Sequence, residues 1–221
     1  MPVPPSDPTA RPASTKSEPG RDEPLGGASP SRIWQAFDQQ ELRRAKAGDP
    51  EALGRFFDHY FPRIFALIHR FLGNHEAAKD LTQDVFLKVR RHMSRLDVED
   101  DPAPWLYTVA LNACKDYRRS TWWRILWNST SLDSESVTPE LRSAAPNPKE
   151  EFLAAEEERR VQTAIVLLPA DLRASVLLHD FDGLPHDVIG RITGTSHAAA
   201  RKRYSRALVL LAELLQEGAH S

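Results

Sequence analysis

The sequence predicts an all-α chain: two small helical domains joined by a flexible linker, the C-terminal one ending in a helix-turn-helix. Three observations predict it. Valine and isoleucine are sparse beside leucine and alanine, and no long alternating stretch of the kind a half-buried strand needs is present. Apolar residues instead recur at spacings of three and four in successive segments separated by Gly, Pro and Asn. A Ser-, Thr- and Pro-rich stretch, 128–150, interrupts that pattern once.

The helical domains are expected over 32–127 and 151–217, with 128–150 as a mildly acidic linker. Residues 1–31 hold eight of the seventeen prolines, with Ser, Gly and charges of both signs. Such a segment buries too little apolar surface to offset its ordering entropy, and it is expected to be a disordered extension.

From Arg32 the pattern turns helical through Ile33, Phe37 and Leu42, and Gly48-Asp49-Pro50 breaks it. Asp49 or the Pro50 turn starts the next helix. Its wide apolar face runs from Leu53 through Phe56, Phe57, Tyr60, Phe61, Ile64, Phe65 and Ile68 to Leu72, ending at Gly73-Asn74. These aromatics read as core, and Pro62 within them kinks or splits the helix. Asn74 caps a third helix with an apolar line at Ala78, Leu81, Val85 and Val89, opposite Asp80, Gln83, Asp84 and Lys88. A loop over 97–104 leads into PWLYTVALNACKDYRR. There Trp105, Val109, Ala113 and Tyr117 are expected inside, with Asn112, Lys115 and Arg119 mainly outside. After the linker, Val161, Ile165 and Leu168 line a charged helix that Pro169 stops, and Leu172 to His179 form another.

The chain closes on DFDGLPHDVIGRITGTSHAAARKRYSRALVLLAELL, from Asp180 to Leu215. Pro185 suits a first helical position, and Leu184, Val188 and Ile192 repeat every four residues. Gly194 ends that helix, and Thr195 or Ser196 caps the next, from His197 to about Glu217. Its first half carries Arg201, Lys202, Arg203 and Arg206, with no acid before Glu213. By periodicity alone this is either a DNA-reading helix-turn-helix or a helical hairpin with a solvated basic face.

Composition excludes several classes. Net charge is −2, so nucleic-acid binding must come from local patches. The single cysteine, Cys114, excludes an internal disulfide and fits a reducing, cytoplasmic setting. No apolar run approaches the roughly 20 residues of a membrane span, and the N-terminus lacks a signal-peptide core. The phosphate-loop, dinucleotide, zinc-protease and serine-hydrolase motifs are missing, and Cys114 has no evident partner for chemistry. His179, Asp180, Asp182, His186 and Asp187 cluster around a glycine turn and read as solvated rather than as metal ligands. No catalytic residue, metal or cofactor is expected.

The order of KDLTQDVFLKV, then PWLYTVALNACKDYRR, then the linker, then LPADLRASVLLHDFDGLPHDVIGRITGTSHAAARKRYSRAL resembles bacterial RNA polymerase sigma factors. It is similar to the extracytoplasmic-function (ECF) group, over about 38–217. The resemblance implies a non-enzymatic subunit that binds core RNA polymerase, recognises the −35 and −10 promoter elements and promotes DNA melting. Domain 2 of the family would span 32–127 and domain 4 would span 151–217. The resemblance assigns core polymerase binding to Asp80, Gln83, Asp84 and Lys88. It assigns −10 DNA to Trp105, Asn112, Lys115, Arg118 and Arg119, with Asn112 lining a flipped-base pocket. It assigns −35 DNA to Ser196, His197, Ala199, Ala200, Arg201, Arg203 and Arg206. It further implies an anti-sigma factor as partner and a cytoplasmic location, with no membrane insertion by the chain itself.

Two departures stand out. The family often shows a Thr-Val-Lys-Ser-Arg type of run where this chain has Ala199-Ala200-Arg201-Lys202-Arg203, so readout falls to fewer side chains. The aromatic run Trp122–Trp127 is unusual for a linker start, and residues 1–31 have no counterpart. On the residues alone, the competing reading is a helix-turn-helix regulator with a helical sensor or dimerisation domain.

Overall fold

The computed structural model describes residues 37–96, 101–128 and 150–217, with the side chains of 122–128 and 150–155 excepted. The expected N-terminal extension and nearly all of the expected linker lie outside the described residues. Among the described residues there are eight α-helices and no strand: α1 (Gln39–Lys46), α2 (Pro50–Leu72), α3 (His75–His92), α4 (Pro102–Asn128), α5 (Glu150–Leu167), α6 (Ala170–Val176), α7 (His186–Thr193) and α8 (His197–Glu217). A 3₁₀ turn, Met93–Arg95, follows α3, and a π-helical turn, Leu177–Phe181, follows α6.

The helix starts are local chemistry. Asp38 caps α1 through the Glu41 amide. Asp49 accepts from the Glu51 and Ala52 amides, with Pro50 at the first helical position. Asn74 accepts from the Ala77 amide at 2.8 Å. Each cap satisfies amides the helix leaves unpaired and stabilises its helix by about 1 kcal/mol. Gly73 and Gly194 end α2 and α7 in the left-handed conformation, at φ 68° and 66°.

Three boundaries differ from the sequence expectation. α2 is one unbroken helix through Pro62. Pro62 and Asp58 are both exposed, so the Asp58 carbonyl that loses its amide partner faces water. α4 begins at Pro102, where Asp101 accepts from the Ala103 amide, rather than after Pro104. The helix expected over Leu172 to His179 is a short α-helix that widens into the π turn.

α2, α3 and α4 pack around Phe56, Tyr60, Ile64, Ile68, Val85, Val89, Leu106 and Ala110. α5 to α8 pack around Ile165, Leu168, Val176, Leu178, Ile189, Ile192, Tyr204 and Leu211. The two cores meet, because α2 packs on α5 and on the π turn, and α4 packs on α7.

Polar contacts fasten that meeting. The last carbonyls of a helix have no partner within it. Arg70 O at the end of α2 accepts from Gln162 Nε2 at 2.7 Å. The Arg173 guanidinium is fully buried and donates to Phe71 O of α2, to Val166 O of α5 and, at 2.9 Å, to Leu168 O. It also lies 5.0 Å over the Phe71 ring. Burial pushes its pKa down to about 9, which leaves it charged at neutral pH. Two helix C-termini, each carrying partial negative charge, thus hold a cation with no carboxylate. Gly73 is needed here twice over, because a Cβ would stand 2.9 Å from Val166.

Candidate polymerase and promoter interfaces

α3 carries the first candidate surface. Ala78, Val85, Phe86 and Val89 turn inward, and buried Thr82 donates back to Ala78 O at 2.6 Å. The outward face therefore gathers Asp80, Gln83, Asp84 and Lys88, all exposed. Leu87 stands among them, 51% exposed. Beside this face, Phe61 of α2 is 40% exposed and lies 5.5 Å from the Phe86 ring, and it stacks on Phe65 at 6.3 Å. Phe61 was expected in the core. The apolar stripe of α2 is wider than its neighbours cover, which leaves one edge open. Leu87 was not singled out in the sequence, although a leucine at the centre of a polar helix face is visible there.

α4 carries the second. Thr108, Asn112, Lys115 and Arg119 follow at spacings of four, three and four, which lines them along one side. Asn112, Arg118 and Arg119 are exposed, and Lys115 is half-buried. Arg119 pairs with Asp116 at 3.0 Å on the surface. Trp105 sits apart, partly buried against the core. Cys114 faces inward, and burial pushes its thiol up to about 12, which removes it as a nucleophile.

α7 and α8 carry the third. Ser196 Oγ accepts from the Ala199 amide at 3.2 Å and opens α8. Gly190 lets the turn close, because a Cβ there would meet Thr195 O at 2.7 Å. Ser196, His197, Arg201, Lys202 and Arg206 are exposed, and Ala199 is half-buried. Ala200 departs from the expected set. It is 0% exposed and continues the inward line Ala200, Tyr204, Ala207, Leu211, so it has no access to a groove. Arg203 is half-buried, with its NH2 3.6 Å from Asp171 Oδ2.

The acidic turn ahead of α7 is not solvated as expected. Asp180 and Asp182 are both buried, and each accepts from a tyrosine: Asp180 from Tyr204 at 2.8 Å, Asp182 from Tyr107 at 3.3 Å. His179 stacks on His186 at 4.5 Å and meets the Tyr204 ring at 4.4 Å. These residues hold α8 rather than presenting a ligand set, and among the described residues no group of three or more His, Cys, Asp or Glu is placed to hold a metal.

Residues 56–124 match the family model of Sigma-70 region 2, and residues 158–211 match that of Sigma-70 region 4. The RNA polymerase sigma factor CarQ of Myxococcus xanthus is 32% identical over 176 residues, which cover 80% of this chain and 96% of CarQ. The chain belongs to the RNA polymerase sigma factors of the ECF group. Relatives bearing the ECF designation in Haemophilus influenzae and Bacillus subtilis are among the matches. The probable RNA polymerase sigma factor RfaY of Xanthomonas campestris is 31% identical over 185 residues, 82% of this chain, and the chain spans 45% of RfaY. The solved structure of CnrH in complex with the cytosolic domain of CnrY has the same fold, with a TM-score of 0.60 at 20% identity, over 81% of this chain and 97% of that one.

This sigma factor is thus an alternative sigma factor for transcription initiation. Its two domains are the kind that bind core RNA polymerase and promoter DNA, and its family is not one of catalysts in its own right. No helix among its described residues is long and apolar enough to cross a membrane.

Proposed function

We propose that the three exposed surfaces divide the work of initiation among α3, α4 and α8. The exposed face of α3 docks on core polymerase. Leu87 is its apolar anchor, and Asp80, Gln83, Asp84 and Lys88 form the polar rim that sets orientation. α4 binds the melted −10 strand. Asn112 hydrogen-bonds the edge of an extruded base, while Lys115, Arg118 and Arg119 hold the phosphates around it. Trp105 supports α4 from its first turns.

α8 enters the major groove of the −35 duplex with Ser196, His197, Ala199, Arg201, Arg203 and Arg206. Arginine dominates this set, so phosphate positioning carries much of the affinity, and bidentate contacts to guanine supply the base readout. Melting follows from differential binding. Bases held by α4 exist as ligands only in the open duplex, so their capture stabilises the open complex. The protein contributes binding and no covalent chemistry.

The observation that carries this reading is the exposed row Asp80, Gln83, Asp84, Leu87 and Lys88 on a helix whose opposite side is fully packed. A regulator that only binds DNA has no use for such a face. On this reading the polymerase- and −10-binding domain spans 32–127, 128–150 is a linker, and the −35-binding domain spans 151–217. The protein acts in the cytoplasm. CnrH is seen with the cytosolic domain of CnrY, and NepR is an anti-sigma factor bound to RpoE of Bartonella quintana, a second structure of this fold. An anti-sigma factor is proposed here too. The test is a pair of variants assayed for binding to core polymerase and for promoter use. Asp84→Arg is expected to lose core binding, and Asn112→Ala to keep it while losing −10 preference.

A further inference from the structure

Two imidazoles lie face to face behind the reading helix. His179 of the π turn stacks on His186, the first residue of α7, with ring centroids 4.5 Å apart and planes 18° apart. Both rings pack on Tyr204 of α8, at 4.4 and 5.3 Å. His197, the first residue of α8, lies 6.1 Å from His186. The stack thus ties the π turn, α7 and α8 together beside the turn that sets the tilt of α8.

The arrangement suits neutral rings. His179 Nδ1 lies 3.0 Å from Leu184 O, and a carbonyl only accepts, so Nδ1 carries the proton. A second proton would fall on Nε2, which is buried with no hydrogen-bond partner among the described residues. His186 and His197 each open a helix, where the amide dipoles disfavour a cation. The charges around the stack have their own contacts. Asp180 accepts from Tyr204 at 2.8 Å, and Asp182 accepts from Tyr107 and faces Arg70 and Arg63. Asp187 pairs with Arg191 at 4.0 Å, and Arg203 lies 3.6 Å from Asp171. Arg173 of α6 donates to carbonyls, and exposed Arg201 adds positive charge one turn into α8. Charging both stacked rings sets two cations 4.5 Å apart. Their repulsion disfavours the stack about fivefold even when screened as in water.

We infer that the His179–His186 stack is a proton-sensitive clamp that positions α8 for the −35 duplex, holding the helix while the rings are neutral and releasing it when both are charged. The inference rests on the −35 role proposed for α8. Both histidines are positioning residues, acting on DNA through Tyr204 and α8. Imidazole is the side chain that changes charge between about pH 5 and pH 8. The clamped form binds fewer protons than the released form, so the clamp is strongest at the alkaline end of that window and weakens as pH falls.

The test uses the full chain and His186→Phe, which keeps a ring against His179 and Tyr204 and cannot gain charge. Protection of the α8 amides around Tyr204 against hydrogen exchange is measured from pH 8 to pH 5. The ratio of parent to variant at each pH cancels the intrinsic pH dependence of exchange. That ratio is expected to fall about threefold or more across the window. A flat or rising ratio overturns the inference. If His186→Phe loses helicity, His179→Asn takes its place, because its amide donates to Leu184 O as Nδ1 does and does not titrate.

Positioning is read separately with a −35 duplex at pH 8. His186→Arg fixes a cation against His179 and is expected to bind about threefold or more weaker than His186→Phe. The added charge alone favours a polyanion, so a loss reports geometry. Equal or tighter binding refutes the positioning role. Arg201→Ala serves as the control. If it leaves duplex binding unaltered, the DNA-site assignment has failed, and the exchange ratio alone decides the clamp.

Discussion

The Tyr107 hydroxyl of α4 donates to the buried carboxyl of Asp182 at 3.3 Å, across the meeting of the two domains. Burial raises Asp182 from 3.8 to about 7, against the pull of Arg70, the Tyr107 hydrogen bond and Arg63. A solvated Asp182 in the unfolded chain returns to its ordinary value. Between about pH 4 and pH 7 the folded chain therefore holds one proton more at Asp182 than the unfolded one. The contribution of Asp182 to stability is strongest at the acidic end of that window, weakens by up to about tenfold in the folding equilibrium per unit as pH rises, and is flat above pH 7. The midpoint of chemical unfolding followed from pH 5 to pH 8 checks this. Asp182→Asn keeps an acceptor for Tyr107, and the difference between its curve and the parent curve isolates the carboxyl. Identical curves contradict the assignment.

Leu87 is expected to dominate the polymerase interface. Apolar anchors ringed by polar groups contribute about 2 kcal/mol or more when truncated, and rim charges less. Leu87→Asp should weaken core polymerase binding at least about tenfold, more than Lys88→Ala, with helicity unchanged because Leu87 is 51% exposed and lies outside the buried core. Competition against the parent protein for core polymerase measures both.

Arg201 is exposed and carries no acidic partner among the described contacts of α8. Arg201→Ala should cost about 1–3 kcal/mol on a −35 duplex if it reads guanine, with relaxed preference at one base pair. If it holds phosphate instead, the loss is uniform across sequences and the salt slope falls by about one. Titration of matched and mismatched duplexes at several salt concentrations separates these outcomes.

Gly190→Ala is expected to destabilise the chain by about 1–3 kcal/mol, because the new methyl meets backbone rather than a movable side chain. The midpoint of thermal unfolding should fall by several degrees, and −35 binding should fall with it as the angle between α7 and α8 opens. Circular dichroism and duplex titration follow the two effects.

The legible parts of this protein are those set by near neighbours in sequence. Asp49, Asn74 and Ser196 announce helix starts because a cap bonds amides two or three residues away. The inward line of α8 was legible too: Ala200, Tyr204, Ala207 and Leu211 have helical spacing, and that spacing excludes Ala200 from a reading surface to which family resemblance alone assigns it. Phe61 was hidden because the width of the stripe on α2 does not say which edge α3 covers. Arg173 was hidden because its three carbonyl partners come from the ends of two different helices. Asp182 reads as a solvated turn residue until Tyr107, 75 positions away, is brought to it. The ion pairs of Asp171 with Lys115 and Arg203 join α4, α6 and α8, and no local pattern foretells them.

The most direct measurement is transcription by purified core RNA polymerase on a library of promoter fragments, with and without this sigma factor. Initiation is predicted only in its presence and from a subset of fragments sharing spaced −35 and −10 motifs. Asp84→Arg is predicted to abolish it everywhere, and Asn112→Ala to blur the −10 motif alone. No initiation from any fragment with a folded chain, or full initiation with Asp84→Arg, would contradict the account.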